Sequence, residues 1–301
     1  MSANRIVKWL TFIAIGAILY VTFGKSPSQK AFEAQLLKQP LVNKFSENFE
    51  KYDNVQELFK YDFSRWHQMT LQENDLMVIR NPIKNCIISD VECIPEKENS
   101  ISLDRKIRYR GKQALKLEAS ATETVLGKKS ATGIRRHLFD FKEGDDFYFS
   151  GRFYVATDES EQTPTLRNLI FMGLRSAPSS WRYRKEPGRF LLFDNRSYIA
   201  SDLLYWLPKP ELYAQDILEE VEFPTNKWVR IRVRMKLSAD DDGLIEVWQD
   251  NKKVLYYPGK TMPESRTVYS ILELGILKHF DTENGQTIYL DDIQVQDKDF
   301  F

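Results

Sequence analysis

Cysteine and histidine are scarce in this chain, with two of the first and three of the second among 301 residues. Cys86 and Cys93 have no third or fourth Cys or His at suitable spacing, so a zinc site on this pair is not expected, nor any other metal. Net charge is also missing. Forty-three Lys and Arg balance 43 Asp and Glu, and a dedicated nucleic-acid binder would carry a basic excess. There is no internal repeat, no low-complexity tract and no glycine-rich phosphate loop, so no cofactor is expected. What the chain does have is aromatic content, with 19 Phe, 14 Tyr and 6 Trp, which favours β-structure and suits sugar stacking, although ordinary β cores use it too.

One long apolar run is present. Arg5 and Lys8 precede a stretch from Trp9 to Phe23, at the lower edge of the ~17–25 residues that a spanning helix needs. An uncleaved signal anchor over residues 1–24 is expected, with the amino terminus cytoplasmic and the rest of the chain periplasmic or extracellular. A cleaved secretory signal is the competing reading and would make the chain secreted. In such an oxidising compartment Cys86 and Cys93 would close a small loop, a staple of roughly 2–3 kcal/mol in the chain-entropy model. The other reading is two unrelated thiols. Residues 25–44 read as a linker or short helix, and residues 45–301 as one domain.

That domain is patterned for strands. In Trp228–Lys236 the residues Val229, Ile231, Val233 and Met235 alternate with Arg230, Arg232, Arg234 and Lys236, giving one apolar and one cationic face. An acidic turn, Asp240–Gly243, leads into Leu244–Asp250, and Asn251 into Lys253–Tyr257. Further strands are expected at Ala114–Glu118, Gly133–Phe141, Asp146–Ala156, Leu166–Leu174, Arg189–Phe193, Ser270–Leu277 and Thr287–Gln296, with a weakly amphipathic helix at Pro210–Glu220. The fold class is all-β: a jelly-roll sandwich of two antiparallel sheets, preceded by one N-terminal membrane helix.

The strings Trp228–Val233, Asp242–Trp248, Leu272–Ile276 and Tyr289–Val295, with Phe139–Val155, resemble concanavalin A-like jelly rolls. Among these the chain is most similar to the heparin-lyase and alginate-lyase type of polysaccharide lyase. The resemblance spans roughly residues 45–297 and implies an acidic polysaccharide as partner. The catalytic pattern of that group matches in part. Its Arg-x-Glu strand is approximated by Arg135-Arg136-His137, with His137 at the Glu position. Its Gln-x-His strand has no equivalent near Leu169–Leu174, and its Tyr-x-Lys-x-Gly-x-Tyr strand maps loosely onto Tyr269–Leu277, with Leu277 where the catalytic Tyr would stand.

Eliminating a glycosidic bond beside a uronate requires a cation to neutralise the carboxylate, a base for the C5 proton and an acid for the leaving oxygen. Of His67, His137 and His279, His137 is the best base, because neighbouring Arg135 and Arg136 would keep it neutral. Tyr269 is the expected acid, with Tyr148, Tyr154, Tyr183 and Tyr198 as alternatives. Substrate binding is expected from Arg135, Arg136, Tyr148, Arg152, Tyr154, Trp181 and Tyr183. Between Asp104 and Arg136 ten Lys or Arg face three acids, an excess that attracts an anionic polymer or forms a solvated face. Arg230, Arg232 and Arg234 either serve the same purpose or pair with Glu246 and Asp250 on the next strand. Asp291 and Asp292, adjacent on a strand, point to opposite faces and are not expected to share a metal. Three functions remain open: recognition of an acidic polysaccharide without cleavage, an active lyase working by β-elimination, and a non-catalytic module of a cell-surface polysaccharide machine.

Overall fold

The computed structural model describes residues 44–59, 66, 68–73, 76–80, 99–119, 130–157, 170–176, 188–193, 199–202, 221–279 and 285–299. The expected membrane segment, the Cys86 and Cys93 pair and the Pro210–Glu220 helix lie outside these residues. Among those described, no helix is long and apolar enough to cross a membrane, and a single 3-10 turn, Val55–Phe59, is the only helical element.

The rest is strand. In chain order these are β1 (Lys44–Glu47), β2 (Gln68–Glu73), β3 (Leu76–Arg80), β4 (Ser100–Asp104) and β5 (Ala114–Ala119). Then come β6 (Ser130–Phe141), β7 (Asp146–Ala156), β8 (Ile170–Ser176), β9 (Gly188–Phe193) and β10 (Ile199–Asp202). The last five are β11 (Trp228–Lys236), β12 (Leu244–Gln249), β13 (Lys252–Pro258), β14 (Tyr269–His279) and β15 (Gln286–Gln296). Eight strands form one sheet in the order β13-β12-β11-β7-β15-β5-β4, with β1 also paired to β15. Seven form the other in the order β10-β9-β8-β14-β6-β2-β3. Every pairing is antiparallel. The expected all-β sandwich of two antiparallel sheets is the observed architecture.

The two sheets meet through one residue in two. In the eight-stranded sheet Phe147, Phe149, Phe153 and Val155 of β7 and Val229, Ile231, Val233 and Met235 of β11 belong to a single core. Ile134 of β6, Met172 and Leu174 of β8 and Leu272, Leu274 and Ile276 of β14 enter the same core from the seven-stranded sheet. Fully burying such an aliphatic or aromatic side chain contributes about 1.5–3 kcal/mol, so the alternation fixes the register of each strand.

Strand β15 needs a correction to its own alternation. Ile288 and Leu290 point inward, yet so do Ile293 and Val295, which a regular strand would turn outward. The register shifts between Asp291 and Gln294, and Asp292 takes a φ of 49°. This is a bulge, and it returns the second half of the strand to the core. It also changes the expectation for the two carboxylates. Instead of parting to opposite faces, both reach the Arg110 segment. Asp291 accepts from the Arg110 backbone N–H at 3.4 Å, and Asp292 from the Arg110 guanidinium Nη2 at 2.7 Å. Burial pushes the Asp291 carboxyl up to about 6.

Close packing within the seven-stranded sheet centres on Gly275, whose φ is 139° and which faces Gly133 across the β6–β14 pair. A Cβ there would collide with the Thr132 carbonyl oxygen, which is backbone and cannot swing away. Gly275→Ala is therefore expected to lower stability by about 1–3 kcal/mol in denaturant titration, through strain at that φ.

Candidate functional site

The site is built on the outer face of the seven-stranded sheet, where the alternation leaves side chains not used by the core. On β6, Ile134 points inward, so Arg135 and His137 point outward together. Arg136 points the other way, buried, with its guanidinium 3.9 Å from the centroid of the Phe45 ring.

Strand register supplies their neighbours. Arg135 lies opposite Glu273 of β14, and His137 opposite Ile271. On the other side of β14, Glu273 lies opposite Gly173 of β8, and Ile271 opposite Arg175. Glu273 is only 2% exposed, yet it is a carboxylate held between two guanidiniums. Arg135 Nε donates to its Oε1 at 2.7 Å, and Arg175 forms an ion pair with its Oε2. The Arg175 guanidinium also rests 4.8 Å from the Phe190 ring centroid, and that ring from β9 occupies the space above Gly173 where a Cβ would clash. A bulkier residue at 173 would displace Phe190 and with it the packing surface of Arg175.

The trio of Arg135, Glu273 and Arg175 carries one net positive charge on a largely dehydrated surface. Its charge-assisted hydrogen bonds are strong, and the surplus charge favours an anion alongside. His137 stands next to it, half-buried. Burial first, and the Arg136 guanidinium second, hold its imidazole down to about 4, so it is neutral at pH 7. A neutral imidazole beside fixed cations can accept a proton from a carbon acid whose charge those cations stabilise.

The structure does not gather all the residues singled out from the sequence. Arg135 and His137 come together. Arg136 turns into the sandwich. Tyr269, expected to partner His137, faces inward as well: it is fully buried, lies opposite Phe141, and its hydroxyl donates to the Thr261 carbonyl oxygen at 3.2 Å. Burial pushes that phenol well above its ordinary range. A core-facing phenol does not share the outer face with His137, because Tyr269 precedes a register shift that separates its orientation from that of Ile271. Tyr148, Arg152 and Tyr154 belong to β7, so they lie on the outer face of the opposite sheet. Trp181, Tyr183, Tyr198 and His67 lie outside the described residues.

The basic stretch before Arg136 is dispersed rather than pooled. Arg110 pairs with Asp292, Lys116 with Glu118 at 2.5 Å, and Arg135 with Glu273. Among the described residues no group of three His, Cys, Asp or Glu is placed to hold a metal ion.

Two residues of the site were not anticipated. Glu273 was readable as an outward residue, since Leu272, Leu274 and Ile276 alternate around it, but its partnership with Arg135 is a matter of register. Arg175 lies at the end of a strand whose expected boundary stopped at Leu174. The carboxylate that an Arg-x-Glu strand would place two residues beyond Arg135 is supplied here by the neighbouring strand.

The fold has counterparts. A family model described as polysaccharide lyase matches residues 60–294, and the chain belongs to that family. Among solved structures, an endo-β-1,4-glucuronan lyase from the fungus Trichoderma reesei shares the fold with a TM-score of 0.52 and 15% identity, over 67% of this chain and 89% of that one. The alginate lyase Aly36B does so with a TM-score of 0.53 and 8% identity, over 85% of this chain and 98% of that one. A variant of Aly36B in complex with an alginate tetrasaccharide aligns with a TM-score of 0.52 and 9% identity, over 86% and 98% of the two chains. No curated protein matches the sequence.

Two measurements follow from the site itself. Glu273→Ala leaves Arg135 and Arg175 without their shared carboxylate, and chemical denaturation is expected to show a loss of about 3–5 kcal/mol. His137 binds its proton less well when folded, near pH 4, than when unfolded, near the ordinary histidine value of about 6.5. Its contribution is present above the unfolded value and is lost as pH falls toward 4. The melting temperature of His137→Gln is thus expected to fall less steeply between about pH 6.5 and 4 than that of the parent.

Proposed function

We propose that this protein acts on a uronate-containing polysaccharide as a lyase, cleaving it by β-elimination at the outer face of the seven-stranded sheet. The observation that carries the reading is a neutral, half-buried His137 on the same strand face as Arg135, beside the Arg135–Glu273–Arg175 cluster. Membership of the polysaccharide lyase family supports it. The surplus positive charge takes the uronate carboxylate and makes the C5 proton acidic. His137 removes that proton as the C4–O4 bond breaks. An imidazolium whose pKa is depressed to about 4 is a strong acid, so His137 then returns the proton to the leaving oxygen. One residue thereby fills the roles expected of a His and Tyr pair. Arg5 and Lys8 ahead of the apolar run Trp9–Phe23 support an anchored protein with this domain outside the cytoplasm.

The inward orientation of Tyr269 favours a second reading, in which the same face recognises an acidic polysaccharide without cleaving it. Incubation with polyglucuronate and with alginate separates the two. Lyase action generates unsaturated uronate ends that absorb in the ultraviolet, and His137→Ala is expected to lower that rate by about 10²–10⁴-fold. The acid limb of kcat/KM is expected near pH 4 rather than near 6.5. Full activity in His137→Ala overturns the assignment of the base. A parent protein that retains the polymers but forms no unsaturated ends establishes recognition in place of cleavage.

A further inference from the structure

The outer face of the eight-stranded sheet, on the other side of the sandwich, has a chemistry of its own. Four rings follow one another across it in edge-to-face contact, with Tyr109 exposed, Trp228 and Tyr154 half-buried and Tyr289 buried beneath them. Tyr109, 38% exposed in the β4–β5 loop, lies 6.0 Å from Trp228 of β11 between ring centroids. Trp228 lies 5.7 Å from Tyr154 of β7, and Tyr154 lies 5.5 Å from Tyr289 of β15. Beside this strip is a row of guanidiniums. Arg152 of β7 stands directly opposite Arg230 of β11, and Arg232 follows on the same face of β11. The Arg152 guanidinium lies 4.2 Å from the centroid of the Tyr109 ring, so strip and row are in contact.

Like charges directly opposite one another on paired strands are destabilising, and the acids nearby, Asp291 opposite Arg152 on β15 and Asp292 acting on Arg230, offset this pair only in part. The Asp250 carboxylate comes no nearer to Arg152 than 3.8 Å, and it accepts from the Arg230 backbone N–H at 2.9 Å rather than from the Arg230 guanidinium. Arg230 Nε donates to the neutral hydroxyl of Ser150 at 3.1 Å, and Arg232 Nη2 to the backbone carbonyl of Asp250 at 3.0 Å. Burial first, then Arg232 and Arg152, pull the Arg230 guanidinium below its ordinary range. The anticipated pairing with an acid of the next strand is met by Arg234, which reaches Glu246 at 3.5 Å, and it also reaches Asp146 of β7 at 3.2 Å.

We propose that this face is a second binding surface for a polyuronate chain, carried on the sheet opposite the Glu273 site. Ring faces accept the apolar faces of pyranose units, and a guanidinium fork accepts a carboxylate through two parallel hydrogen bonds. Rings next to clustered cations thus fit a polymer that repeats both features. The ligand class rests on the function proposed above, whereas the location does not. The surface would hold the polymer at the protein while the other sheet acts, raising its local concentration by avidity.

Affinity electrophoresis through gels containing polyglucuronate, alginate or neutral hydroxyethylcellulose tests this, with Tyr109→Ala, Arg230→Gln and His137→Ala run beside the parent. The parent is expected to be retarded by the two polyuronates and not by the neutral glucan. Arg230→Gln is expected to weaken retardation about tenfold, and Tyr109→Ala by several-fold. Tyr109 is exposed in a loop, so its variant reports on binding even if Arg230→Gln proves unstable. Unchanged retardation in Tyr109→Ala and in folded Arg230→Gln overturns the proposal, as does loss confined to His137→Ala. Absence of retardation in the parent, or binding to anionic lipid vesicles in place of the polyuronates, overturns it equally. Formation of unsaturated ends is scored separately on short oligosaccharides. A protein that is retarded through Tyr109 and Arg230 but cleaves nothing keeps this surface and loses the lyase reading.

Discussion

Each strand of this protein has two faces, and the core claims one of them on both sheets. Everything else follows from that constraint. Phe149 and Phe153 must point inward, so Ser150, Arg152 and Tyr154 must point outward. Ile134 must point inward, so Arg135 and His137 must point outward. The polar chemistry is sorted onto two surfaces separated by an apolar interior, and no residue can move between them without exposing a core side chain. Where the chain needs an exception, as in β15, it inserts a bulge.

The Arg135–Glu273–Arg175 cluster shows how such sorting produces an electrostatic device. A lone carboxylate as dehydrated as Glu273 would be strongly unfavourable. Two guanidiniums reverse the balance and leave a surplus of positive charge. The same dehydration holds His137 neutral. One physical cause, removal of water from the outer face of a sheet, thus sets both the charged cluster and the neutral imidazole beside it.

The sequence carried the fold further than it carried the site. Strands β5 to β9 and β11 to β15 were legible because each is long enough to display its alternation, and β11 with its four inward and five outward residues is the plainest case. β1 to β4 and β10 were missed. They are four to six residues long, and β3, β4 and β10 lie at sheet edges, where fewer neighbours constrain the pattern. The site was legible only within a single strand. Arg135 and His137 share a face by parity, which needs no partner. Tyr269 was assigned by spacing, yet the irregularity at the start of β14 turns it to the core. Arg175 and Glu273 meet Arg135 through register between strands distant in the chain, and no local pattern records that. The grouping of Tyr148, Arg152 and Tyr154 with His137 failed for the same reason, since the sheet to which a strand belongs is not written in its own residues.

The pairing of β1 with β15 sets Phe45 beside Val295, near the two ends of the β-domain. β15 also lies between β7 and β5, and its apolar face is central to the core. On a ribosome, the eight-stranded sheet therefore has a vacant middle position until β15 itself has emerged. Until then β7 and β5 carry unpaired edges and an incomplete interior, a state open to association with other chains. β15 is thus the strand that joins β7 to β5, and factors that shield emerging polypeptides would matter most before it arrives.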